Sequence, residues 1–178
     1  MAIVKLKTPL VERDVTSLKM GDKVLISGEI YAARDAAHKR LLEMVERGEK
    51  LPFEPKGSVI YYVGPAPAKP GKPIGPCGPT TSYRMDPYTE GMLKLGVKML
   101  IGKGERSKEV RDALVKYKAV YAAATGGAAT LLAEKVKASE TVAFKELGPE
   151  ALVRLTVEEF PVTVVNDVKG GDLYEEGR

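Results

Sequence analysis

The stretch "KVLISGEIYAARDAAHKRLLEMVERG", residues 23–48, changes from the pattern of a β-strand to that of an α-helix. Up to residue 34 it is rich in valine, isoleucine and tyrosine, which favour strands. After residue 35, apolar side chains recur at helical spacing, and Gly48 follows as a stop signal. We predict a strand that ends at Arg34 and a helix that Asp35 N-caps.

Further elements follow the same alternation and then give way to strands. Prolines at frequent intervals predict an irregular loop over 66–79. We expect further strands over 3–7, 57–67, 119–127, 141–147, 152–160 and 162–167, further helices over 86–100, 107–118 and 128–138, and a hairpin turn at 169–172. In the second helix, Asp86 is the expected N-cap and Pro87 the first helical residue. The order of elements predicts an α/β fold with a mixed sheet.

Length and composition are those of one globular domain over residues 1–178. No run of eighteen apolar residues is present, and the first residues lack the apolar core of a signal peptide, so we expect a cytoplasmic protein that does not enter membranes. The formal charge of +4 is spread along the chain without interleaved aromatic residues. This pattern disfavours nucleic acid as a partner and suits a small anionic ligand.

Cys77 is the one cysteine of the chain, which excludes an internal disulfide and a Cys-x-x-Cys metal site. The usual state of such a residue is a buried, inert small hydrophobe. We therefore expect no metal or cofactor to be held by this chain itself.

Three segments deliver polar residues to the start of a predicted helix, at 31–39, 78–86 and 124–130. Helix N-termini offer free N–H donors and a positive dipole end to anions. Arg34 and Arg84 have the fork geometry that grips a carboxylate, and Lys103 lies between two glycines that let it turn into the same cavity. Together these three cations match a small dicarboxylate.

Structural explanations of the same residues remain open. Arg34 pairs equally well with Asp35 or Glu29 at the surface, and Thr80, Thr81 and Ser82 are ordinary capping residues. The segment 124–130 has the composition of a close-packing turn. His38, the one histidine, suits either a surface position or proton transfer. A Walker phosphate loop is excluded because no glycine-rich segment ends in Gly-Lys-Ser/Thr.

Four separated motifs, "SGEIYAARDAAHKRL", "GPTTSYRMD", "IGKG" and "ATGGAATLLAEKV", resemble in order and spacing the C-terminal half of class I fumarases and the beta subunit of the related tartrate dehydratases. The resemblance extends from about Leu10 to the segment 158–167. It implies a swivelling β/β/α domain, similar to the mobile domain of aconitase. It also implies a partner, the alpha subunit, whose three cysteines hold a four-iron, four-sulfur cluster with one substrate-binding iron that acts as a Lewis acid.

The resemblance also implies roles for individual residues. Arg34 and Arg84 bind the substrate carboxylates, Lys103 takes a further substrate oxygen, and Thr81 belongs to the same binding set. Thr80 is the candidate base for the proton on the carbon next to a carboxylate, provided that cationic neighbours such as Arg84 lower its pKa. His38 is either catalytic or orients Arg34.

On this basis we expect the beta subunit of a two-subunit fumarate hydratase, which assembles as alpha2beta2 and hydrates fumarate reversibly to (S)-malate. The alternatives are the beta subunit of an L(+)-tartrate dehydratase and a non-catalytic anion-binding domain. Fumarate and tartrate are both four-carbon dicarboxylates, so the same cationic clamp serves either substrate.

Overall fold

A computed structural model describes residues 3–124 and 129–176, with the backbone alone at 129 and 130. It has seven strands, β1 (Ile3–Lys7), β2 (Lys23–Ala32), β3 (Val59–Tyr61), β4 (Met99–Gly102), β5 (Val120–Ala124), β6 (Val136–Ala143) and β7 (Leu152–Asn166). The α-helices are α1 (Glu12–Thr16), α2 (Asp35–Glu46), α3 (Asp86–Lys94), α4 (Lys108–Tyr117), α5 (Ala129–Glu134) and α6 (Leu173–Glu176). Within the described ranges, none of these helices has the length and apolar character needed to cross a bilayer.

The strands form one mixed sheet, which confirms the predicted α/β class. Strands β2, β3, β4 and β5 pair in parallel in that order, while β7 runs antiparallel to both β2 and β5. These pairings close a ring of five strands, and β1 and β6 extend it on β2 and β7. Because β2 to β5 are parallel, their carboxyl ends lie at one edge of the sheet.

Alternate side chains of the ring strands enter two separate apolar cores. One core contains Ile26, Tyr61, Ile101 and Phe160, together with Val15 of α1. The other lies on the opposite face of the strands, under α2, α3 and α4, which contribute Leu41, Met92, Leu93, Val110 and Leu114. The period-two alternation of strand side chains therefore produces one core enclosed by strands and one covered by helices.

The predicted helix over 86–100 is wrong in its second half. Helix α3 ends at Lys94, and the apolar residues that follow form β4. Gly96 stops the helix because its φ of +107° is a conformation that suits glycine, and a Cβ there would lie 3.0 Å from the Cα of Lys56. The apolar spacing at 97–100 is compatible with a buried strand as well as with a helix, because a short apolar run does not distinguish these two elements.

The predicted N-caps of two helices are also displaced by one residue. Arg34, in extended conformation, precedes α2, and Asp35 is the first helical residue. Likewise α3 begins at Asp86 directly after a 3₁₀ turn over Ser82–Met85. Each aspartate is therefore inside its helix, and its carboxylate pairs with an arginine distant in sequence, Arg84 for Asp35 and Arg106 for Asp86.

The C-terminal third is simpler than predicted. The helix expected over 128–138 ends at Glu134, and β6 begins at Val136 and ends at Ala143, so the strand expected over 141–147 is wrong beyond that residue. Two expected strands are one, β7, which passes through Pro161 and bends at Glu159, where φ is +49°. The predicted hairpin at 169–172 is reduced to one isolated antiparallel bridge between Asn166 and Asp172, after which the chain enters α6. The prolines of the loop after β3 keep it irregular, as predicted.

Candidate functional site

The predicted site residues follow the carboxyl ends of three neighbouring parallel strands. Arg34 comes two residues after β2, the segment 80–84 returns to the sheet after the loop that follows β3, and Lys103 comes directly after β4. The carboxyl ends of parallel strands are the usual place for ligands, in open sheets and in closed barrels alike. The structure therefore brings the predicted residues to one edge, except for the segment 124–130, most of which lies outside the described residues.

Arg34 reaches across the edge to the chain that leaves β3. Its guanidinium lies against Gly64, where an added Cβ would be 2.6 Å from Nη1. Its Nε is buried and has no hydrogen-bond partner among the described residues. The surface pairing considered for Arg34 is not formed, because Asp35 pairs with Arg84 and Glu29 pairs with Arg154. Arg34 is thus a cation for which the described chain provides no carboxylate.

A substitution at Gly64 tests how strongly the binding of a dicarboxylate depends on the position of the Arg34 guanidinium. We expect Gly64→Ala to displace the guanidinium and raise the KM for a dicarboxylate about tenfold, since one lost charge-assisted hydrogen bond is worth about 1.5 kcal/mol or more. The loss of stability should be small because the Arg34 side-chain end moves away and the Pro149 carbonyl oxygen, 3.3 Å from the new Cβ, needs to shift only slightly. Steady-state kinetics of the complex with the expected alpha subunit measure the KM, and thermal unfolding measures the stability.

Gly91→Ala on α3 is the matched control, since its new Cβ meets the side-chain end of Leu42 at 2.9 Å and touches no candidate site residue. An equal KM effect from both variants, or none from Gly64→Ala, would contradict a role for Arg34 in binding.

His38 lies in the first turns of α2 and is fully buried, beside the rings of Tyr62 and Tyr88. Its Nδ1 lies 2.7 Å from the carbonyl oxygen of Arg34, so Nδ1 carries the proton and donates it. Its Nε2 has no partner in the described chain. Burial lowers the pKa of His38 from 6.5 to about 4. This geometry supports orientation of Arg34 by a neutral imidazole.

The lowered pKa of His38 makes a contribution to stability that depends on pH. Between pH 6.5 and 4 the unfolded chain binds a proton that the folded chain does not, so the free energy of unfolding falls as the pH falls through this window. The resulting loss of stability between pH values above 6.5 and below 4 is on the order of 3 kcal/mol.

We expect the stability of His38→Asn, whose amide keeps a donor toward the Arg34 carbonyl, to change less between pH 7 and pH 4.5 than that of the parent. Urea denaturation at both values measures the difference. Parallel curves for the two proteins would show that His38 is not buried in its neutral form.

Thr80, Thr81 and Ser82 are held against two strands by backbone hydrogen bonds. The amide of Thr80 donates to the carbonyl of Tyr62 (2.7 Å). Thr81 forms a parallel bridge with Lys103, and the amide of Ser82 donates to the Lys103 carbonyl (2.9 Å). The hydroxyl of Thr80 makes no hydrogen bond with the described part of the chain, so it remains available to a ligand.

Arg84 and Lys103 present two further cations beside Arg34. The Nε of Arg84 lies 3.4 Å from the Asp35 carboxylate, and 45% of the side chain is exposed. This contact occupies Nε and leaves the two terminal nitrogens to a ligand. Lys103 is exposed and forms no ion pair within residues 3–124 and 129–176. Of these three cationic side chains, only Arg84 has a carboxylate partner among the described residues, and that partner is Asp35.

The N-terminus of α2 is less open than predicted. The amide of Ala36 donates to the Glu150 carboxylate (3.3 Å), so a side chain of the protein already uses the first turn. Binding of an anion here rests on the arginine and lysine side chains more than on helix amides.

Cys77 is buried in the strand-enclosed core, as predicted for an inert thiol. Burial raises its pKa to about 11, which disfavours the thiolate that binds metals. No group of three or more His, Cys, Asp or Glu residues among those described is arranged to hold a metal ion. The donors of this chain do not fit an iron–sulfur cluster, which is held by several thiolates.

Arg106 is a residue of this region that sequence reasoning missed. It is 5% exposed, and its guanidinium lies against Tyr62 and Tyr121, which hydrogen-bond to Thr80 and to Gly104. An arginine in a charged stretch, "GKGERSKE", has the pattern of the surface, and the sequence holds no signal that it is buried.

The sequence model of the family described as Fumarase C-terminus matches residues 1–177. Fumarate hydratase 2 of Leishmania major is 41% identical over 175 residues, covering 96% of this chain and 31% of that protein. A Methanocaldococcus jannaschii protein, provisionally named L(+)-tartrate dehydratase subunit beta, is 43% identical over 94% of this chain and 89% of its own length. The anaerobic class I fumarate hydratase of Escherichia coli is 37% identical over 97% of this chain and 32% of that protein. The chain thus spans about a third of each of these two fumarate hydratases.

Proposed function

Because this chain belongs to the Fumarase C-terminus family, we propose that it is the beta subunit of a two-subunit hydro-lyase that hydrates fumarate reversibly to (S)-malate in the cytoplasm. It acts as a single swivelling domain, similar to the mobile domain of aconitase, that binds the dicarboxylate against a partner alpha subunit in an alpha2beta2 complex. The fumarate hydratases that it resembles support this activity.

One observation carries the proposal: of the three cations that follow the carboxyl ends of the parallel strands, two have no carboxylate partner among the described residues. Arg34 and Lys103 have no ion-pair partner among the described residues, and Arg84 shares its Nε with Asp35. An excess of positive charge held in place without an internal partner suits a dianion. A four-carbon dicarboxylate offers two carboxylates to such a clamp.

In this proposal the arginine forks hold the two carboxylates, and Lys103 donates to a further substrate oxygen. Thr80 exchanges the proton on the carbon next to a carboxylate, and Thr81 completes the binding set. Arg84 stabilises the alkoxide form of Thr80, since a nearby cation favours an anionic oxygen. His38 donates to the Arg34 carbonyl and so fixes the start of α2 from which Arg34 projects.

The four-iron, four-sulfur cluster of this reaction belongs to the alpha subunit in our proposal, because one buried thiol cannot hold it. Every step that we assign to this chain is therefore one that its own residues perform: binding the carboxylates, orienting the substrate and moving one proton.

The match with the Methanocaldococcus jannaschii protein favours a second candidate, the beta subunit of an L(+)-tartrate dehydratase. That match covers 89% of a protein named as a separate subunit, whereas the fumarate hydratases are about three times longer than the matched region. The clamp of Arg34, Arg84 and Lys103 serves tartrate as well as fumarate, because both present two carboxylates.

Reconstitution without oxygen tests the proposal. The chain is combined with its cluster-bearing partner, and the hydration of fumarate and the dehydration of L(+)-tartrate are assayed side by side. We expect the complex to be active and the isolated chain to be inactive, with fumarate as the better substrate. Activity of the isolated chain would contradict the proposal, and inactivity toward both substrates would favour a non-catalytic anion-binding domain.

A further inference from the structure

Arg106 is a buried cation whose guanidinium is enclosed by aromatic rings. It lies 5.2 Å from the ring centre of Tyr62 and 4.7 Å from that of Tyr121. Its Nε donates to Asp86 Oδ1 (2.8 Å), and its Nη2 donates to Thr89 Oγ1 (2.8 Å) and to the hydroxyl of Tyr62 (3.3 Å). A buried arginine is costly to desolvate, and an apolar side chain of similar size often serves stability equally well. Stability alone therefore does not explain the guanidinium.

The partners of Arg106 each hold a segment that carries candidate site residues. The carbonyl of Tyr62 accepts the amide of Thr80 (2.7 Å). The hydroxyl of Tyr121 donates to the carbonyl of Gly104 (2.8 Å), the residue after Lys103, and therefore accepts from Ser82 Oγ (2.8 Å). Burial raises the pKa of Tyr121, so its hydroxyl keeps the proton that it donates.

Asp86 adds a third connection, two residues after Arg84. Its Oδ1 accepts from Arg106, and its Oδ2 accepts from the amide of Ser107 (3.0 Å). Both oxygens are thus used at the start of α3, directly behind the 3₁₀ turn that presents Arg84. Gly102 leaves space for this packing, because a Cβ there would overlap the Ser82 hydroxyl.

We propose that Arg106 is the positioning residue of the site, which sets the segment 80–84 and Lys103 at the separation that a dicarboxylate requires. The proposal rests on the proposed function for the identity of the ligand. Arg106 contacts no substrate itself. It acts through the rings of Tyr62 and Tyr121 and through Asp86, the three groups on which the two segments rest.

Hydrogen exchange on the full chain tests this directly, with Arg106→Lys and Tyr121→Phe as variants. Lysine keeps the charge and loses the fork, whereas phenylalanine keeps the ring and loses the bond to Gly104 and Ser82. We expect the amides of Thr80 and Ser82 to exchange at least about tenfold faster in both variants, because their segments open locally, with the β2–β7 amides unchanged.

Two matched controls separate positioning from general packing. Arg111→Lys alters a half-buried arginine that pairs with Asp172 and Glu175. Tyr117→Phe removes a hydroxyl that makes no hydrogen bond with the described residues. Neither control should change exchange at Thr80 or Ser82.

Kinetics of the reconstituted complex provide the second measurement. A displacement of binding groups by about 1 Å can cost about a hundredfold in rate, so we expect kcat/KM to fall by about 10- to 100-fold in Arg106→Lys. We expect most of this fall to come from an increase in KM, since the displaced groups bind the ground state as well as the transition state. Tyr121→Phe should lower kcat/KM by a smaller factor, and the two control variants should leave kcat/KM unchanged.

The results distinguish the two proposals. Inactivity of the parent complex toward both dicarboxylates would overturn the proposed function, and exchange at Thr80 and Ser82 would still decide the role of Arg106. Unchanged exchange in both variants, or an equal increase throughout the β2–β7 ladder, would overturn the positioning role. If Arg106→Lys does not fold, Arg106→Met, an apolar side chain of similar length, replaces it in the same exchange measurement.

Discussion

Thr80→Val lowers the kcat of the reconstituted complex by about 10²- to 10⁴-fold, the range that a positioned acid or base contributes. Valine keeps the branched shape of threonine and removes the hydroxyl alone. Because the amide of Thr80 holds the segment through the carbonyl of Tyr62, the fold is expected to be unchanged. KM should change by less than about threefold, since a group that acts only in the transition state does not contribute to ground-state binding.

Thr80→Ser and Thr156→Val complete this experiment. Serine restores a hydroxyl and should recover most of the rate, whereas Thr156 is an exposed threonine of β7 whose change to valine should leave kcat unaltered. A Thr80→Val enzyme that keeps its kcat and loses only affinity would show that Thr80 binds substrate and that the base lies elsewhere.

Arg84→Lys raises the KM for the dicarboxylate by about 10- to 100-fold, because lysine keeps the charge and loses the fork that grips a carboxylate. The contact between Arg84 Nε and Asp35 is lost as well, so Asp35 becomes free to repel the substrate. If Arg84 also lowers the pKa of Thr80, kcat falls in addition, since lysine places its charge differently. Initial rates over a range of substrate concentrations separate the two effects.

Arg154→Lys is the matched control for Arg84→Lys. Arg154 is 35% exposed, pairs with two glutamates, and lies on β7, so its replacement should cost about 1 kcal/mol of stability at most and no activity. Equal KM values for the parent and Arg84→Lys would remove Arg84 from the binding set.

Much of the fold was accessible from local patterns. The strand-to-helix unit at 23–48, the irregular proline loop and the helix over 107–118 were predicted within a few residues, because turn residues and apolar periodicity act locally. The helix predicted over 86–100 failed because the apolar run after Gly96 fits a buried strand as well as a helix. The pairing of β7 with both β2 and β5 has no local signal, since ring closure depends on residues far apart in the chain.

In the candidate site, too, some features were predicted from the sequence and others depend on the folded structure. Arg34, Thr80, Arg84 and Lys103 were predicted from motifs and from the chemistry of carboxylate binding. Their convergence required the parallel order of β2, β3 and β4, which brings three strand ends to one edge. The burial of His38 depends on packing of α2 against Tyr62 and Tyr88, and the interaction of Asp35 with Arg84 depends on packing of α2 against the 3₁₀ turn. Neither follows from residue type.

By itself the sequence predicted the α/β class, which the structure confirms, a cationic clamp suited to a dicarboxylate, and the need for thiolates from another chain if a cluster takes part. Only the tertiary structure decided which cations lack a partner, that His38 is neutral, and that Arg106 lies beneath the site. The physical reason is that charge and apolar periodicity are properties of neighbouring residues in the sequence. Burial and ion pairing depend instead on residues that are distant in the sequence and that the folded sheet brings together. Arg106 has the local pattern of a surface residue, and its buried position arises from β3, β5 and α3 meeting around its guanidinium.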